Sequence, residues 1–260
     1  MRATRVLTLR IAATAVALSL VAGIANSQTR RRSPNEGESP EAEFHMARAI
    51  YGTSARAGSR DLLQPMWAVD YPYAEEHFFG AIRRLTNISV AEDSRHLELT
   101  DPRIFSHPFL FLQQPGFWNP SNQEAEALRE YLARGGFLLL DDFHGNDWYN
   151  FEAAIRRVLP DREIVEIPDS DSLMHVFFDL KERQQIPGER HLRYGGLPQM
   201  QGPPHWRGIY DDHGRLIVGI NFNMDMGDAW EHADDPNYPG PMTANAYQLG
   251  LNYVIYAMTH

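Results

Sequence analysis

GGFLLLDDFHGNDW, residues 135–148, decides how the rest of the chain is read. Four consecutive apolar residues, Phe137, Leu138, Leu139 and Leu140, have the length and continuity of a strand covered on both faces, as in a parallel sheet between layers of helices. Gly135-Gly136 just before them is the usual left-handed stop of a preceding helix. The apolar run ends in Asp141, Asp142 and His144, so this reading places acids where the strand leaves the core.

Moving outward, Ser121 is a good N-cap with Glu124 three residues on and Pro120 before it, a capping-box start for a helix over 122–134. FLFL (109–112), bounded by Gln113-Gln114-Pro115-Gly116, reads as another buried strand. Strand, helix and strand with short connections imply parallel pairing through a right-handed crossover. A helix over 148–158 and the run IVEI (164–167) continue the alternation. Upstream, PMWAV (65–69) reads as a strand, followed by a helix carrying Phe78, Phe79, Ile82 and Leu85 at helical spacing. The stretch 88–105 supplies a strand with a return, and Asp101-Pro102 turns it into a short helix.

Near the C-terminus, turn residues 211–214 lie between alternating runs, a hairpin pattern. MTANAYQLGLNYVIYAMTH (242–260) keeps helical spacing to Met258, which predicts a terminal helix. Residues 179–207, rich in Gly, Pro and Gln, are too many for a plain connection and predict a lid or an irregular insertion. The fold class is therefore a three-layer, mostly parallel α/β sheet with a C-terminal hairpin and helix.

Arg2, Arg5 and Arg10 precede a small apolar run over 11–24, the pattern of a secretory signal peptide. Cleavage after Ser27 is preferred to cleavage after Ala25, which gives a leader over 1–27. The alternative is an uncleaved anchor, although the run is shorter than the roughly 20 residues a spanning helix needs. Residues 28–43 have almost nothing apolar to bury and read as a disordered tether, leaving one domain over 44–260. The expected location is periplasmic or extracellular, with no later segment suited to spanning a bilayer. The chain has no cysteine, which excludes disulfides, thiolate metal sites and cysteine nucleophiles. A net charge of −10 makes nucleic acid and anionic lipid poor partners.

In open parallel sheets, ligands bind beyond the carboxyl ends of the strands. PMWAV is followed by Asp70, Tyr71, Tyr73 and Glu75, and FLFL by Gln113, Gln114, Phe117 and Trp118. The strand 137–140 is followed by Asp141, Asp142, His144 and Asp147, and RLIVGINFN (215–223) by Asp225, Asp228, Glu231 and His232. From these we take Asp70, Tyr73, Trp118, Asp141, Asp147, Asp225, Asp228 and Trp230 as candidate binding residues, and Asp142 with His144 as the acid–base pair if the protein is an enzyme.

Such a cluster permits a hard divalent cation, divided acid and base roles, or simple capping of the helix that starts near Asp147. Side chains alternate along a strand, so Asp141 and Asp142 cannot both face one ligand unless the strand has ended. No residue is assigned as a metal ligand: no HExxH occurs, and DMGDAWEHADD (225–235) lacks the EF-hand alternation. Neither GxSxG nor a phosphate-loop fingerprint is present. Trp67, Tyr71, Tyr73, Trp118, Trp148, Tyr149 and Trp230 fall near strand ends. They suit a carbohydrate ligand, or they pack the loops against one another.

GGFLLLDDFHG (135–145), preceded by LREYL (128–132) and joined by the stretch from Gly214-Arg215-Leu216 to Trp230, resembles the uncharacterised bacterial domain of unknown function 4159 over about 44–260. A looser resemblance is to class I glutamine amidotransferase-like folds, including the trehalose-utilisation group. It implies a flavodoxin-like sheet with a site at its carboxyl edge. In those folds the nucleophile is a cysteine at a strand-to-helix elbow. The equivalent stretch here is Asp142-Phe143-His144-Gly145, so acyl-cysteine glutaminase chemistry is excluded. The His-Pro-Glu partner motif would fall near Asn223-Met224-Asp225, which does not match.

Two readings follow. The first is a non-catalytic exported domain that binds a polar small molecule, an envelope carbohydrate or a protein partner. The alternative is a hydrolase with Asp142 as base and His144 as acid or orienting partner. No cofactor is indicated beyond the hard divalent cation that the acids permit.

Overall fold

A computed structural model describes residues 42–52, 65–194 and 202–260. The expected leader and nearly all of the expected tether lie outside the described residues. The strands are β1 (Met46–Ile50), β2 (Arg95–Glu98), β3 (Phe109–Gln113), β4 (Phe137–Phe143), β5 (Val165–Glu166), β6 (His205–Tyr210) and β7 (Leu216–Phe222). They form one sheet in the order β2-β1-β3-β4-β7-β6-β5. The five from β2 to β7 run parallel, and β6 and β5 are antiparallel additions. The order 2-1-3-4 is the flavodoxin-like one, with its switch point between β1 and β3.

The helices are α1 (Tyr73–Leu85), α2 (Asn122–Ala133), α3 (Asp147–Val158), α4 (Glu189–Tyr194), α5 (Met226–Glu231) and α6 (Gly240–Thr259). All seven residues of β4 are buried, which accounts for the unbroken apolar run. Leu138 and Leu140 pack with Leu128, Phe151 and Ile155 of α2 and α3. Phe137 and Leu139 face the opposite layer, with Phe78 of α1 and Leu249 and Tyr253 of α6. Ser121 makes the full capping box, its Oγ accepting from Glu124 N at 3.2 Å and its N donating to Glu124 Oε2 at 2.6 Å. Gly135 takes φ +100° at the end of α2, a conformation that favours glycine. The expected hairpin is β6 with β7, closed by Asp211, whose Oδ1 accepts from His213 N and Arg215 N. No described helix is long and apolar enough to cross a membrane.

Two elements differ from the sequence reading. PMWAV is not a strand; its centre, Met66–Ala68, is a 3-10 turn, and the strand beside β3 is Met46–Ile50. The reason lies in Arg48, a charged residue in the middle of that strand and fully buried. Its Nη1 donates to Trp67 O (3.1 Å) and Val69 O (2.7 Å), and its Nε to Glu75 Oε1 (2.8 Å). The guanidinium thus satisfies carbonyls that the turn would leave orphaned. The run 164–167 supplies only the two-residue β5, which pairs antiparallel on β6 rather than extending the parallel order.

Gly219, at the centre of β7, lies under Tyr253 of α6, and a Cβ there would come within 2.7 Å of the ring and 3.0 Å of Leu139. Close approach of helix and sheet at this point requires glycine. Gly219→Ala should lower the unfolding free energy by about 1–3 kcal/mol, measured by urea denaturation.

Candidate functional site

The end of β4 positions the acids. Register with β7 slips between Leu140 and Phe143, and Asp142 takes φ +57°, so the strand bulges and its two aspartates part. Asp141 is wholly buried. Its Oδ2 accepts from Met226 N (2.7 Å) and Gly227 N (3.0 Å), and its Oδ1 from Asn221 Nδ2 (3.3 Å). Burial pushes Asp141 up to about 7, opposed by the Gly227 amide, raised further by the Asp142 charge and lowered by Met226 N.

Asp142 turns the other way. Its Oδ2 accepts from Gln114 Nε2 at 2.7 Å, and its Oδ1 lies 3.2 Å from His144 Nε2. Burial acts to raise this carboxyl, but the hydrogen bond and charge of His144, followed by the Gln114 bond, outweigh it and hold Asp142 below the ordinary carboxylate range.

Three more acids arrive from elsewhere. Asp225 caps α5, its Oδ1 accepting from Asp228 N at 2.9 Å, and Asp228 Oδ2 accepts from Glu189 N at 2.6 Å. Asp70 follows the 3-10 turn with φ +67° and accepts from Gln113 Nε2. Donor atoms of Asp142, His144 and Asp225 lie within 4.8 Å of one another, as do those of Asp70, Asp225 and Asp228. Asp225 belongs to both groups. Asp70, Asp142 and Asp225 are 5, 8 and 4% exposed. Burial first, and then repulsion among them, pushes Asp70, Asp225 and Asp228 up. Within the described residues, the four non-glycine positions at positive φ are Asp70, Gln114, Asp142 and Asn223. All four stand at this edge, where strained backbone accompanies function more often than chance.

The segment 186–191 lies against the cluster. Ile186 O accepts from Asp225 N at 2.9 Å, and Pro187 O from Tyr238 Oη at 2.6 Å. A Cβ on Gly188 would sit 2.6 Å from Asp225 Oδ2, 3.0 Å from His191 Nδ1 and 3.1 Å from Asp228 Oδ2. Glycine therefore lets this backbone close onto the acids. His191 of α4 meets His144 edge-on with ring centroids 4.7 Å apart. Within the Gly/Pro/Gln-rich stretch, 186–191 thus cover the acids, and 195–201 lie outside the described residues.

Residues 45–258 match the model of the family described as Domain of unknown function (DUF4159). The chain belongs to DUF4159. No curated protein matches it.

In this DUF4159 chain the structure gathers Asp70, Asp142, His144, Asp225 and Asp228, with Asp141 behind them as the tie to α5. Asp147 opens α3 and its Oδ2 accepts from His144 N at 3.4 Å, while Tyr73 begins α1 and is 56% exposed. Trp118 is buried in the α2/α3 layer, and Trp230 stacks on Phe78 at 4.1 Å in the opposite one; neither offers an open ring face. Gln113, Gln114, Asn221, Gly188 and His191 also lie in or beside this cluster. The polar pair after FLFL was a usable signal for the first two. Nothing periodic or motif-like distinguishes His191.

Asp141→Ala strips two backbone donors of their acceptor and should cost about 2–4 kcal/mol of stability. Asp142→Asn loses the charge that His144 and Gln114 stabilise but keeps a hydrogen-bonding side chain in place, and should cost less, about 1–2 kcal/mol. Chemical denaturation of both variants checks the contrast.

Proposed function

We propose that this protein is an exported binding domain of the cell envelope that takes a polar, carbohydrate-type ligand at the carboxyl edge of its sheet. The observation that carries the reading is the convergence of Asp70, Asp142, Asp225 and Asp228, from three separate parts of the chain, at one nearly dry spot. Burying like charges together does not stabilise a fold. Strongly perturbed carboxyls concentrate where a protein recognises or transforms something. Tyr73 and Tyr149, at the starts of α1 and α3, are exposed, and an exposed aromatic ring has the apolar face that sugar rings use.

A binding role leads because the chain has no cysteine. Among the described residues, moreover, His144 hydrogen-bonds Asp142 through its ring and no serine or threonine hydroxyl. The amidotransferase-like resemblance fits the same view: Asp142, in the left-handed conformation, stands where that fold keeps its nucleophile. A protein partner at this edge is compatible with the same chemistry. Export rests on the leader pattern of residues 1–27.

One observation favours a second reading, a hydrolase without a cysteine nucleophile. Asp142 Oδ1 and His144 Nε2 are 3.2 Å apart, within reach for a general acid–base pair acting on water.

Titration of the purified protein with envelope glycan fragments should show saturable binding that Asp142→Asn weakens by at least about 10-fold, as loss of one charged hydrogen-bonding group implies. Failure of the unaltered protein to bind any glycan ends the carbohydrate assignment. For the hydrolase reading, turnover of model ester, amide and glycoside substrates should appear and vanish in His144→Gln; no turnover by the unaltered protein removes it. Mass spectrometry of the secreted protein should find Gln28 as the first residue, and a retained leader contradicts cleavage.

A further inference from the structure

The carboxyl-edge cluster is not made of acids alone. Asp142 and Asp225 supply carboxylate oxygens, and His144 supplies an imidazole nitrogen, with the three donor atoms within 4.8 Å of one another. Donors about 2.0–2.2 Å from a shared ion are separated by up to about 4.4 Å, so small side-chain adjustments bring all three onto one centre. Asp70 and Asp228 form a second such group with Asp225. Among the described residues no lysine or arginine forms an ion pair with Asp70, Asp142 or Asp225. The buried Arg48 spends its Nε on Glu75 and its Nη1 on the Trp67 and Val69 carbonyls.

A second observation points to a ligand here. Gln113 is fully buried beside Asp70, to which its Nε2 donates, while its carbonyl Oε1 has no hydrogen-bond partner. A dry, unpaired amide oxygen costs about 1–3 kcal/mol, and it is a donor type that divalent cations use. Nδ1 of His144 and Nδ1 of His191 are likewise buried without partners. The His191 atom faces the cluster, since a Cβ on Gly188 would lie 3.0 Å from it and 2.6 Å from Asp225 Oδ2.

We propose that Asp142, His144 and Asp225 hold a divalent transition-type cation of the Mn²⁺ or Zn²⁺ class, leaving a coordination position open toward the 186–191 cover. The inference deepens the carboxyl-edge reading and rests on that edge being the functional site, but not on the ligand being a carbohydrate. The imidazole selects the class. Carboxylate oxygens suit Mg²⁺, Ca²⁺ and Mn²⁺ and imidazole suits Zn²⁺ and its neighbours, so two carboxylates with one imidazole point to Mn²⁺ or Zn²⁺ rather than to Mg²⁺ or Ca²⁺. Three protein donors with an open position are the arrangement of a metal that meets a ligand or activates water, not of a closed structural site. The ion also supplies the positive charge that four crowded carboxylates lack.

The test is calorimetry on the full chain after chelator treatment, with MnCl₂, ZnCl₂, CaCl₂ and MgCl₂ titrated separately and no glycan present, alongside thermal unfolding with each salt. One equivalent of Mn²⁺ or Zn²⁺ should bind and raise the unfolding temperature. Asp225→Asn and His144→Gln should each weaken that binding by more than about 10-fold, while the surface variant His175→Gln leaves it intact. If Asp225→Asn does not fold, His144→Gln carries the test alone. Absence of heat and of any thermal shift at millimolar metal overturns the proposal. So does stoichiometric binding that survives His144→Gln, or binding confined to Ca²⁺ and Mg²⁺. Metal binding without glycan binding defeats only the carbohydrate reading, and glycan binding without metal binding defeats only this one.

Discussion

The buried carboxylate of Asp141 accepts hydrogen bonds from the first two amides of α5, Met226 N and Gly227 N, and so fastens the end of the central strand to the helix that follows β7. Two consequences follow. Asp225 and Asp228, the cap and first-turn residues of α5, are held beside Asp142. Gly227 is also pressed against Asp70 and Gln113 so closely that a Cβ would collide with both. Asp70 reaches that place only because the turn before it is held by Arg48. The site is thus the meeting of two anchoring interactions, a buried acid under α5 and a buried base under the 3-10 turn.

Adjacent in sequence, Asp141 and Asp142 are driven in opposite directions by their surroundings. Both are removed from water, which favours the neutral acid. For Asp142 the bonds from His144 and Gln114 overcome that penalty, whereas for Asp141 those from Gly227 N, Met226 N and Asn221 do not. The bulge after Leu140 is what separates them, since it sends one side chain to the α5 amides and the other to the open edge. One acid fastens α5 to the sheet and the other faces His144 and Gln114.

The scaffold and the site obey different rules. Across the sheet, unbroken apolar strands pack against helices on both faces, and residues such as Gly219 are chosen for closeness. At the carboxyl edge the same chain accepts left-handed aspartates, an unpaired glutamine oxygen and carboxylates crowded together. Local consistency gives way where a fold performs its task. Among the described residues, this chain therefore concentrates its left-handed non-glycine backbone where loops from several strands meet.

Much of this was legible in the amino-acid order. Apolar runs of four, a capping box at Ser121, a double-glycine stop and a turn at 211–214 are local signals, because short-range sterics and hydrogen bonding decide them. They determined the layered α/β fold and placed Asp142, His144, Asp225 and Asp228 at strand ends, whereas Asp70 follows a 3-10 turn that the sequence reading takes for a strand. The strand over 46–50 was concealed by Arg48, whose charge is tolerated only through partners at 67, 69 and 75. The indoles of Trp118 and Trp230 had the right address but pack inward, since burial depends on neighbouring layers. His191 and Gly188 carried no local mark. Only tertiary structure brought them onto the acids, because their role consists of distances to residues more than thirty positions away, and no local propensity encodes such distances.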